Sequence, residues 1–376
     1  MKKKYDFIIK GAYGGSNFGD DLLMLAIVHI IKKTNPTSSI GLILNRKSKY
    51  IENYNLNTDL IYPDNTTDIV TNHLILGGGT QYFEFYKSKK NKFKDFFIKL
   101  FNIKKVIKKL KQKRKYNLEF TSCSAISFGI GPFHSKNTIN YFEAIKNLKK
   151  CTFLSIRDYD SEKFCKQNNI QYIKHTDICF NLDNFGYKYP LSNANKVTKI
   201  GIIVRDWIYD DNNQAYIFKL IKVSKELKSK GYDVDFITFT PISDSYVTSI
   251  LKEKKENIII YNPDIYNIDQ FITILSDYNL LISARAHGAI VATYLGIPTI
   301  LIEIEPKLKN IEMEITKKQL LWSPYIDKEE KLINLVYSIS NNYSYWKNTV
   351  FTANKHHKSL VDALLCDYEK YLKELN

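Results

Sequence analysis

Short apolar runs alternate with helical patterns along most of this 376-residue chain, and that alternation limits the fold more than any other feature. Strands that alternate with helices predict a mostly parallel, doubly wound α/β sheet. The predicted strands lie at residues 5–9, 40–44, 73–76, 124–128, 153–156, 172–173, 199–204, 234–239, 257–261, 280–283 and 299–302.

The alternation stops once, between residues 183 and 197, and then restarts. Asparagine, serine, glycine and proline are concentrated in this stretch, which predicts a linker. The length also suits two domains of ordinary size. We therefore expect two Rossmann-like domains, residues 1–182 and 198–342, that face each other across a cleft in a GT-B-type arrangement. The helical pattern at 343–376 predicts a C-terminal helix that crosses back to the first domain.

Cationic side chains and one histidine stand directly after several predicted strands. They are Arg157, Arg205, Arg285, His287 and Lys307. Ligands of open α/β sheets bind beyond the carboxyl ends of the strands, so we expect these side chains to converge on one cleft. Guanidinium groups pair well with carboxylate or phosphate, and a histidine can transfer a proton near neutral pH. The other interpretation of Arg157 is an ion pair with the aspartate that follows it.

Glycine-rich turns follow two strands of the N-terminal half. The first, at residues 14–19, precedes a helix that Asn17 or Asp20 could cap. It is either a tight turn or a contact for sugar hydroxyls, because the acids at the helix start would repel a phosphate. The second contains Gly78 and Gly79 and predicts close approach by a ligand or close strand–helix packing. We assign Asn17, Asp20, Gly78 and Gly79 to an acceptor site.

A set of short motifs runs in order from about residue 10 to about residue 310. The motifs are Gly14-Gly-Ser-Asn-Phe-Gly-Asp-Asp-Leu-Leu, Gly77-Gly-Gly, Gly129-Ile-Gly-Pro, Ser155-Ile-Arg-Asp-Tyr-Asp-Ser, Asp177, Arg285-Ala-His, Gly296-Ile-Pro and Pro306-Lys. In their order and spacing they resemble the polysaccharide pyruvyl transferase family. Glu303 and Glu305 depart from the tyrosine and aspartate that typical members carry.

The resemblance implies an activity and roles for individual residues. The enzyme would transfer a pyruvyl group from phosphoenolpyruvate to a sugar of a cell-surface polysaccharide or of its lipid-linked precursor. A pyruvate ketal would form and phosphate would be released. His287 is then the expected general acid/base, Arg285 contacts phosphoenolpyruvate, and Arg157 and Lys307 belong to the active site. We add Arg205 as a further contact to the donor.

Other functions stay open at this stage. A GT-B glycosyltransferase that uses a nucleotide sugar would need a nucleobase slot, which the sequence does not let us assign. A binding protein that kept the fold without activity is disfavoured by the intact arginine, histidine and lysine set. Nucleic-acid binding has only the net charge of +16 in its favour, and we expect no nucleic-acid partner.

The number and spacing of the cysteines and aspartates also bear on metal binding and on the cellular compartment. The five cysteines are scattered and lack Cys-x-x-Cys spacing, so structural zinc and a disulfide framework are not expected. Asp233 and Asp235 form an Asp-x-Asp sequence, but it lies at the start of a predicted strand. We expect an enzyme that needs neither metal nor cofactor and that works in the cytoplasm.

Most of the positive charge is confined to one segment. Residues 87–115 contain thirteen lysines and Arg114 against the single acid Asp95, a net charge of +13, which leaves +3 for the rest of the chain. Aromatic and aliphatic residues recur there at helical spacing between the lysines. This pattern predicts an amphipathic helix that rests on the anionic inner face of the membrane. The other interpretation is a surface helix packed on the first domain.

Overall fold

Two parallel β-sheets form the framework of the protein. The structure, a computed structural model, describes residues 2–84, 116–207, 215–317 and 319–375. Every strand pairing within these ranges is parallel. The first sheet contains β1 (Lys3–Lys10), β2 (Ile40–Ile43), β3 (Asp59–Ile61), β4 (Ile69–Leu76), β5 (Gly79–Glu84), β6 (Leu118–Phe133), β7 (Phe153–Ile156) and β8 (Ile173–Lys174). The second contains β9 (Lys199–Val204), β10 (Asp233–Thr238), β11 (Ile258–Ile260), β12 (Leu280–Ser283), β13 (Thr299–Ile302) and β14 (Leu321–Trp322).

Helices connect the strands and cover the sheets, as parallel pairing requires. Within the described ranges they are α1 (Phe18–Thr34), α2 (Ile139–Leu148), α3 (Tyr159–Gln167), α4 (Ala215–Ser229), α5 (Ser245–Glu253), α6 (Ile268–Ser276), α7 (Ala286–Leu295), α8 (Pro306–Thr316), α9 (Glu329–Asn341) and α10 (Tyr343–Glu374). None of these helices combines the length and the apolar composition needed to cross a bilayer. The basic segment at 87–115 lies outside the described residues.

Both sheets are doubly wound and share one strand order. The first runs β3-β2-β1-β4-β6-β7-β8 with β5 beside β6, and the second runs β11-β10-β9-β12-β13-β14. In each sheet the order reverses next to the first strand, between β1 and β4 and between β9 and β12. Ligands bind at such switch points, beyond the carboxyl ends of the strands. The predicted pair of Rossmann-like folds is therefore confirmed, and it locates two edges where a site is expected.

The first sheet ends at Lys174 and the second begins at Lys199. Two short 3₁₀ turns, Ile178–Phe180 and Leu182–Phe185, lie between them. The predicted linker at 183–197 falls in this interval, and its bounds remain a prediction.

The N-terminus of α1 packs against the second sheet and its helices. Phe18 is fully buried, and its ring centroid lies 4.8 Å from that of Phe239, 5.5 Å from Tyr261 and 5.0 Å from Phe271. Its backbone N–H donates to the carbonyl of Phe239 at 3.0 Å. Burial of one such ring contributes about 1.5–3 kcal/mol. These contacts make one continuous apolar core out of residues from both sheets.

The last helix, α10, contacts both domains, as predicted. Near its start Asn354 donates to the backbone carbonyls of Thr293 and Tyr294, at 2.8 and 2.7 Å, where α7 ends. Near its end the buried hydroxyl of Tyr368 lies 2.9 Å from Ser124 Oγ on β6. The helix therefore crosses from the second domain back to the first.

We expect Tyr368 to anchor α10 mainly through its ring. Ser124 keeps a second partner, His73 Nε2 at 2.8 Å, when the tyrosine hydroxyl is removed. Tyr368→Phe should then lower the free energy of unfolding by only about 1 kcal/mol. Tyr368→Ala leaves a cavity and should lower it by about 3–5 kcal/mol. Urea titrations followed by fluorescence would measure both, and equal losses would contradict a ring-based anchor.

Candidate active site

A cavity of about 260 Å³ lies between the carboxyl edges of the two sheets. The first domain contributes residues that follow β1, β4 and β7, and the second contributes residues that follow β9, β12 and β13. Of the nine residues predicted from the sequence, Gly78 is the one that does not line it. The eight that do are Asn17, Asp20, Gly79, Arg157, Arg205, Arg285, His287 and Lys307.

Three helices begin at this cavity. Asn17 caps α1 by accepting a hydrogen bond from the Gly19 N–H at 3.1 Å. Arg285 is the residue before α7, and Lys307 is the second residue of α8. Helix N-termini carry unpaired N–H groups and the positive end of the helix dipole, so their convergence favours an anionic ligand.

The turn that presents Arg285 and His287 is held by local contacts. Ser283 Oγ donates to the carbonyl of Arg285 at 2.8 Å and accepts from the Arg285 N–H at 3.1 Å. A Cβ on Gly288 would lie 2.3 Å from Ser283 Oγ and 2.7 Å from Ile203. Only glycine at this position lets α7 begin so close to β9 and β12.

Arg157 of the first domain is buried and held by three partners. Its guanidinium donates to Asp177 and, at 3.1 Å, to Thr80 Oγ1. A third group, the Asp158 carboxylate, lies 3.8 Å from its Nε. Burial opposes ionisation of Asp177, but Arg157 and His287 hold its pKa below the usual value. Both interpretations of Arg157 therefore apply, because it contacts Asp158 and also lines the cavity.

The three cations of the second domain are paired with two buried carboxylates. Arg285 Nη2 lies 2.5 and 2.6 Å from the oxygens of Asp244. Glu305 Oε1 accepts from Arg205 Nη1 at 2.9 Å and from Lys307 Nζ at 3.0 Å. Burial by itself would raise the pKa of Glu305, yet Lys307 and Arg205 hold it below its ordinary value.

Several nitrogen atoms of the cavity residues have no hydrogen-bond partner in the described part of the chain. They are Arg205 Nε, Arg285 Nε and His287 Nε2, and each is buried. An unpaired buried polar atom costs about 1–3 kcal/mol, so proteins seldom keep such groups without a use. The two guanidinium N–H groups are available to an acceptor that enters the cavity.

His287 is packed so tightly that its protonation is constrained. A Cβ on Gly19 would lie 2.1 Å from His287 Nδ1, while Nε2 lies 3.7 Å from Asp177 Oδ2. Burial is the main reason that the pKa of His287 is lowered to about 4. The cations of Arg157 and Lys307 act in the same direction, and Asp177 opposes them. The imidazole is therefore uncharged at neutral pH.

Two adjacent aspartates of α1 have different surroundings. Asp21 is fully buried and accepts from the hydroxyls of Tyr50 at 2.7 Å and Tyr261 at 3.0 Å. Asp20 lines the cavity, and its carboxylate has no hydrogen bond or ion pair with any residue that the structure describes. Burial raises the pKa of Asp20 to about 6, although Lys307 and the three arginines oppose that rise.

The two glycines of the predicted acceptor site differ as well. Gly79 has a φ of +95°, which other residues rarely adopt, and it lines the cavity with its backbone. A Cβ on Gly78 would instead lie 2.9 Å from Leu23 Cδ2 and 3.3 Å from the Ser127 carbonyl. Close packing of α1 on the sheet therefore explains Gly78 without a ligand.

The sequence did not indicate the carboxylates that hold the cations. Asp177 belonged to the motif set without a role, and Glu305 was noted only as a departure from the family pattern. Asp244 precedes α5 and gave no signal at all. Phe83 and Phe239 also line the cavity and were not predicted.

Sequence comparison identifies the family. The family model for polysaccharide pyruvyl transferase matches residues 17–306, most of the chain. The protein belongs to this family. It is therefore an enzyme, a transferase of polysaccharide biosynthesis, and the family implies a polysaccharide acceptor. The match covers the cavity residues except Ala12, before its start, and Lys307, one residue beyond its end. A search of curated protein sequences gave no significant match.

Solved structures support the GT-B-type fold. A Listeria monocytogenes protein assigned as a UDP-N-acetylglucosamine 2-epimerase aligns with a TM-score of 0.58 at 11% identity, covering 100% of this chain and 98% of the other. The Methanocaldococcus jannaschii UDP-GlcNAc 2-epimerase, in complex with UDP-GlcNAc and UDP, aligns with a TM-score of 0.55 at 14% identity, covering 97% and 99%. At such identities the likeness concerns the fold alone.

Among the residues that the structure describes, one group of possible metal ligands occurs beside this cavity. Ligand atoms of Asp177, Cys179 and His287 lie within 4.8 Å of one another, although no spacing in the sequence indicated it. The guanidinium of Arg157 already contacts the Asp177 carboxylate. A fixed positive charge at that carboxylate disfavours a divalent cation. Metal independence therefore remains our prediction.

The contact between Gly19 and His287 is open to a direct test. Gly19→Ala should displace the imidazole and lower the rate of transfer about 10²-fold. It should leave the protein folded, because alanine favours a helix by about 1 kcal/mol over glycine. Gly15→Ala is the matched control, since its Cβ would meet nothing nearer than 3.6 Å. Equal activity of the two variants would show that the position of His287 does not depend on Gly19.

Proposed function

We propose that this enzyme transfers the pyruvyl group of phosphoenolpyruvate to a sugar of a cell-surface polysaccharide or its lipid-linked precursor. The product is a pyruvate ketal, and phosphate is released. The observation that carries the proposal is a cavity lined by four cations, Arg157, Arg205, Arg285 and Lys307, together with one histidine, His287. Family membership supports the transfer of a pyruvyl group.

The charges of the cavity suit this donor. Phosphoenolpyruvate carries a carboxylate and a phosphate on the same carbon atom, so it requires several fixed cations at short range. Two N–H groups, on Arg205 and Arg285, are buried and unpaired, and hydrogen bonds between charged groups are about twice as strong as neutral ones. Lys307 shares its carboxylate with Arg205, which leaves ammonium hydrogens for the donor.

The reaction needs a proton at the methylene carbon of the donor. Protonation there makes the adjacent carbon an oxocarbenium-like electrophile, which one sugar hydroxyl attacks. Phosphate leaves with the electron pair of its C–O bond, and a second hydroxyl closes the cyclic ketal. His287 is the residue we assign to proton transfer. The fixed donors of the cavity stabilise the charge that develops on the leaving phosphate.

Binding of the donor should change the protonation state of His287. Burial lowers the pKa of His287 to about 4. A bound anion adds negative charge beside the imidazole, which favours its protonated form and raises that pKa. The histidine therefore becomes an acid when the substrate that needs the proton arrives.

We expect Arg285→Ala, His287→Ala and Lys307→Ala each to abolish or nearly abolish transfer while the protein stays folded. Loss of the proton-transfer group alone costs about 10²–10⁴ in rate. The assay is phosphate release from phosphoenolpyruvate with a panel of lipid-linked sugars. Lys309→Ala is the control, because Lys309 is half exposed and has only a 3.7 Å pairing with Glu303.

Full activity in all three variants would refute the site. Failure of the wild-type protein to bind phosphoenolpyruvate in calorimetry, together with binding of a nucleotide sugar, would instead favour a glycosyltransferase.

Activity should survive treatment with EDTA. The Asp177 carboxylate is already neutralised by Arg157, so the site does not need a divalent cation to hold its charge. Phosphate release is measured before and after chelation and again after magnesium or manganese is added. Activity that disappears with EDTA and returns with either metal would contradict this prediction.

The basic segment at 87–115 extends the proposal to the membrane surface, where it would bring the cleft to a lipid-linked acceptor. Each lysine near an anionic surface contributes about 1 kcal/mol, less at high salt. The protein should sediment with anionic vesicles at low salt, less so as salt rises, and less when four or five of these lysines become glutamine. No sedimentation at low salt would remove the membrane role and leave the transferase assignment standing.

A further inference from the structure

We propose that Asp20 is the general base that takes the proton from the attacking hydroxyl of the acceptor sugar. The inference rests on the proposed function, and it divides the two proton transfers between two residues. Asp20 receives the proton of the hydroxyl, and His287 delivers a proton to the methylene carbon.

Asp20 is the acid of the cavity that is free to react. Glu305, the other acid that lines it, is held by Arg205 at 2.9 Å and Lys307 at 3.0 Å. Asp20 has no such partner among the described residues, and its Oδ1 lies beside the backbone of Gly79, with 3.8 Å to a Cβ built there. A base must have its lone pairs available to the proton it removes.

The surroundings of Asp20 suit this task. The charged and titratable groups that act on it are Lys307, Arg285, Arg157 and Arg205 across the cavity, with Tyr13 and Asp21 on its own side. Their balance with burial leaves the pKa of Asp20 at about 6, so the carboxylate is mostly ionised at neutral pH and still basic. A general base works best when its pKa lies near the working pH.

The surroundings of His287 and Asp20 shift their pKa values in opposite directions. Burial lowers the pKa of His287 and raises that of Asp20, so at neutral pH the carboxylate can accept a proton, while the histidine becomes an acid once a bound anion raises its pKa. Gly19 precedes Asp20 in α1 and contacts the His287 ring, so one helical turn positions both groups. Their side chains line the same cavity from opposite domains.

The protons balance over the whole reaction. The first hydroxyl gives its proton to Asp20 as its oxygen bonds to the donor carbon, while protonated His287 gives one to the methylene. The phosphate then leaves with the electrons of its C–O bond and takes the proton from Asp20. The second hydroxyl forms its C–O bond and returns a proton to His287. Both residues regain their starting states, and hydrogen phosphate is released.

Asp20→Asn is the first test, because it keeps the shape of the side chain and removes the base. Phosphate release with the best acceptor of the lipid-linked panel should fall about 10²–10⁴-fold. The dissociation constant for phosphoenolpyruvate, measured by calorimetry, should change less than about threefold, since no described donor contact depends on Asp20. Thermal stability should stay near that of wild type.

A second test separates catalysis from positioning. The kcat of the wild type should fall as the pH drops through the pKa of the base, and Asp20→Asn should lose this acid limb. Asp20→Ala should regain activity when formate is added, because a small carboxylate can occupy the vacated space and accept the proton.

Three results would overturn the inference: an Asp20→Asn rate within a few-fold of wild type, an unchanged acid limb, or a loss of rate matched by an equal loss of donor binding. A wild-type protein that releases no phosphate from phosphoenolpyruvate would instead refute the proposed function itself. Active wild-type enzyme with an active Asp20→Asn variant refutes only the role of Asp20.

Discussion

The structure of the site depends on the pairing of the cations that line the cavity with buried carboxylates. Arg157, Arg205, Arg285 and Lys307 line one cavity of about 260 Å³, where like charges repel and desolvation penalises each of them. Three acids contact these cations and are themselves almost fully buried: Asp177, Asp244 and Glu305. The pairing holds the cations in place without using all of their N–H groups, so the fold by itself provides the geometry of an anion receptor.

That geometry requires the two domains to be docked. Arg157 follows a strand of the first sheet, whereas Arg205 and Arg285 follow strands of the second. Their distances are set by the packing of Phe18 against Phe239 and by the path of α10 over both halves. The apolar core therefore brings the carboxyl edges of the two sheets to one cavity, so that cations from both domains can line it.

The sequence predicted the framework better than the charge pairing. The strands predicted at 153–156, 199–204, 280–283 and 299–302 agree with β7, β9, β12 and β13 to the residue, because buried parallel strands read as continuous apolar runs. Once the ends of these strands were known, the residues that follow them could be predicted at the cavity, because ligands bind beyond the carboxyl ends of parallel strands. The partners were missed because Asp244 lies 41 residues from Arg285, and Asp177 lies 20 from Arg157, so no local pattern relates them. Gly78 and Gly79 look alike in sequence, and only the φ of Gly79 separates a cavity residue from a packing residue.

One turn of α1 connects domain packing with the chemistry of the cavity. Asp21 joins Tyr50 of the first domain to Tyr261 of the second, and burial raises its pKa to about 8 despite these hydrogen bonds. Asp20, its neighbour, faces the cavity, and Gly19 supports His287. A change in the contact between the domains therefore moves the residues on both sides of the proposed proton transfers at once. An enzyme that must hold an anionic donor and a sugar together gains from this arrangement, because the proposed acid and base come from opposite domains and depend on the same contact between them.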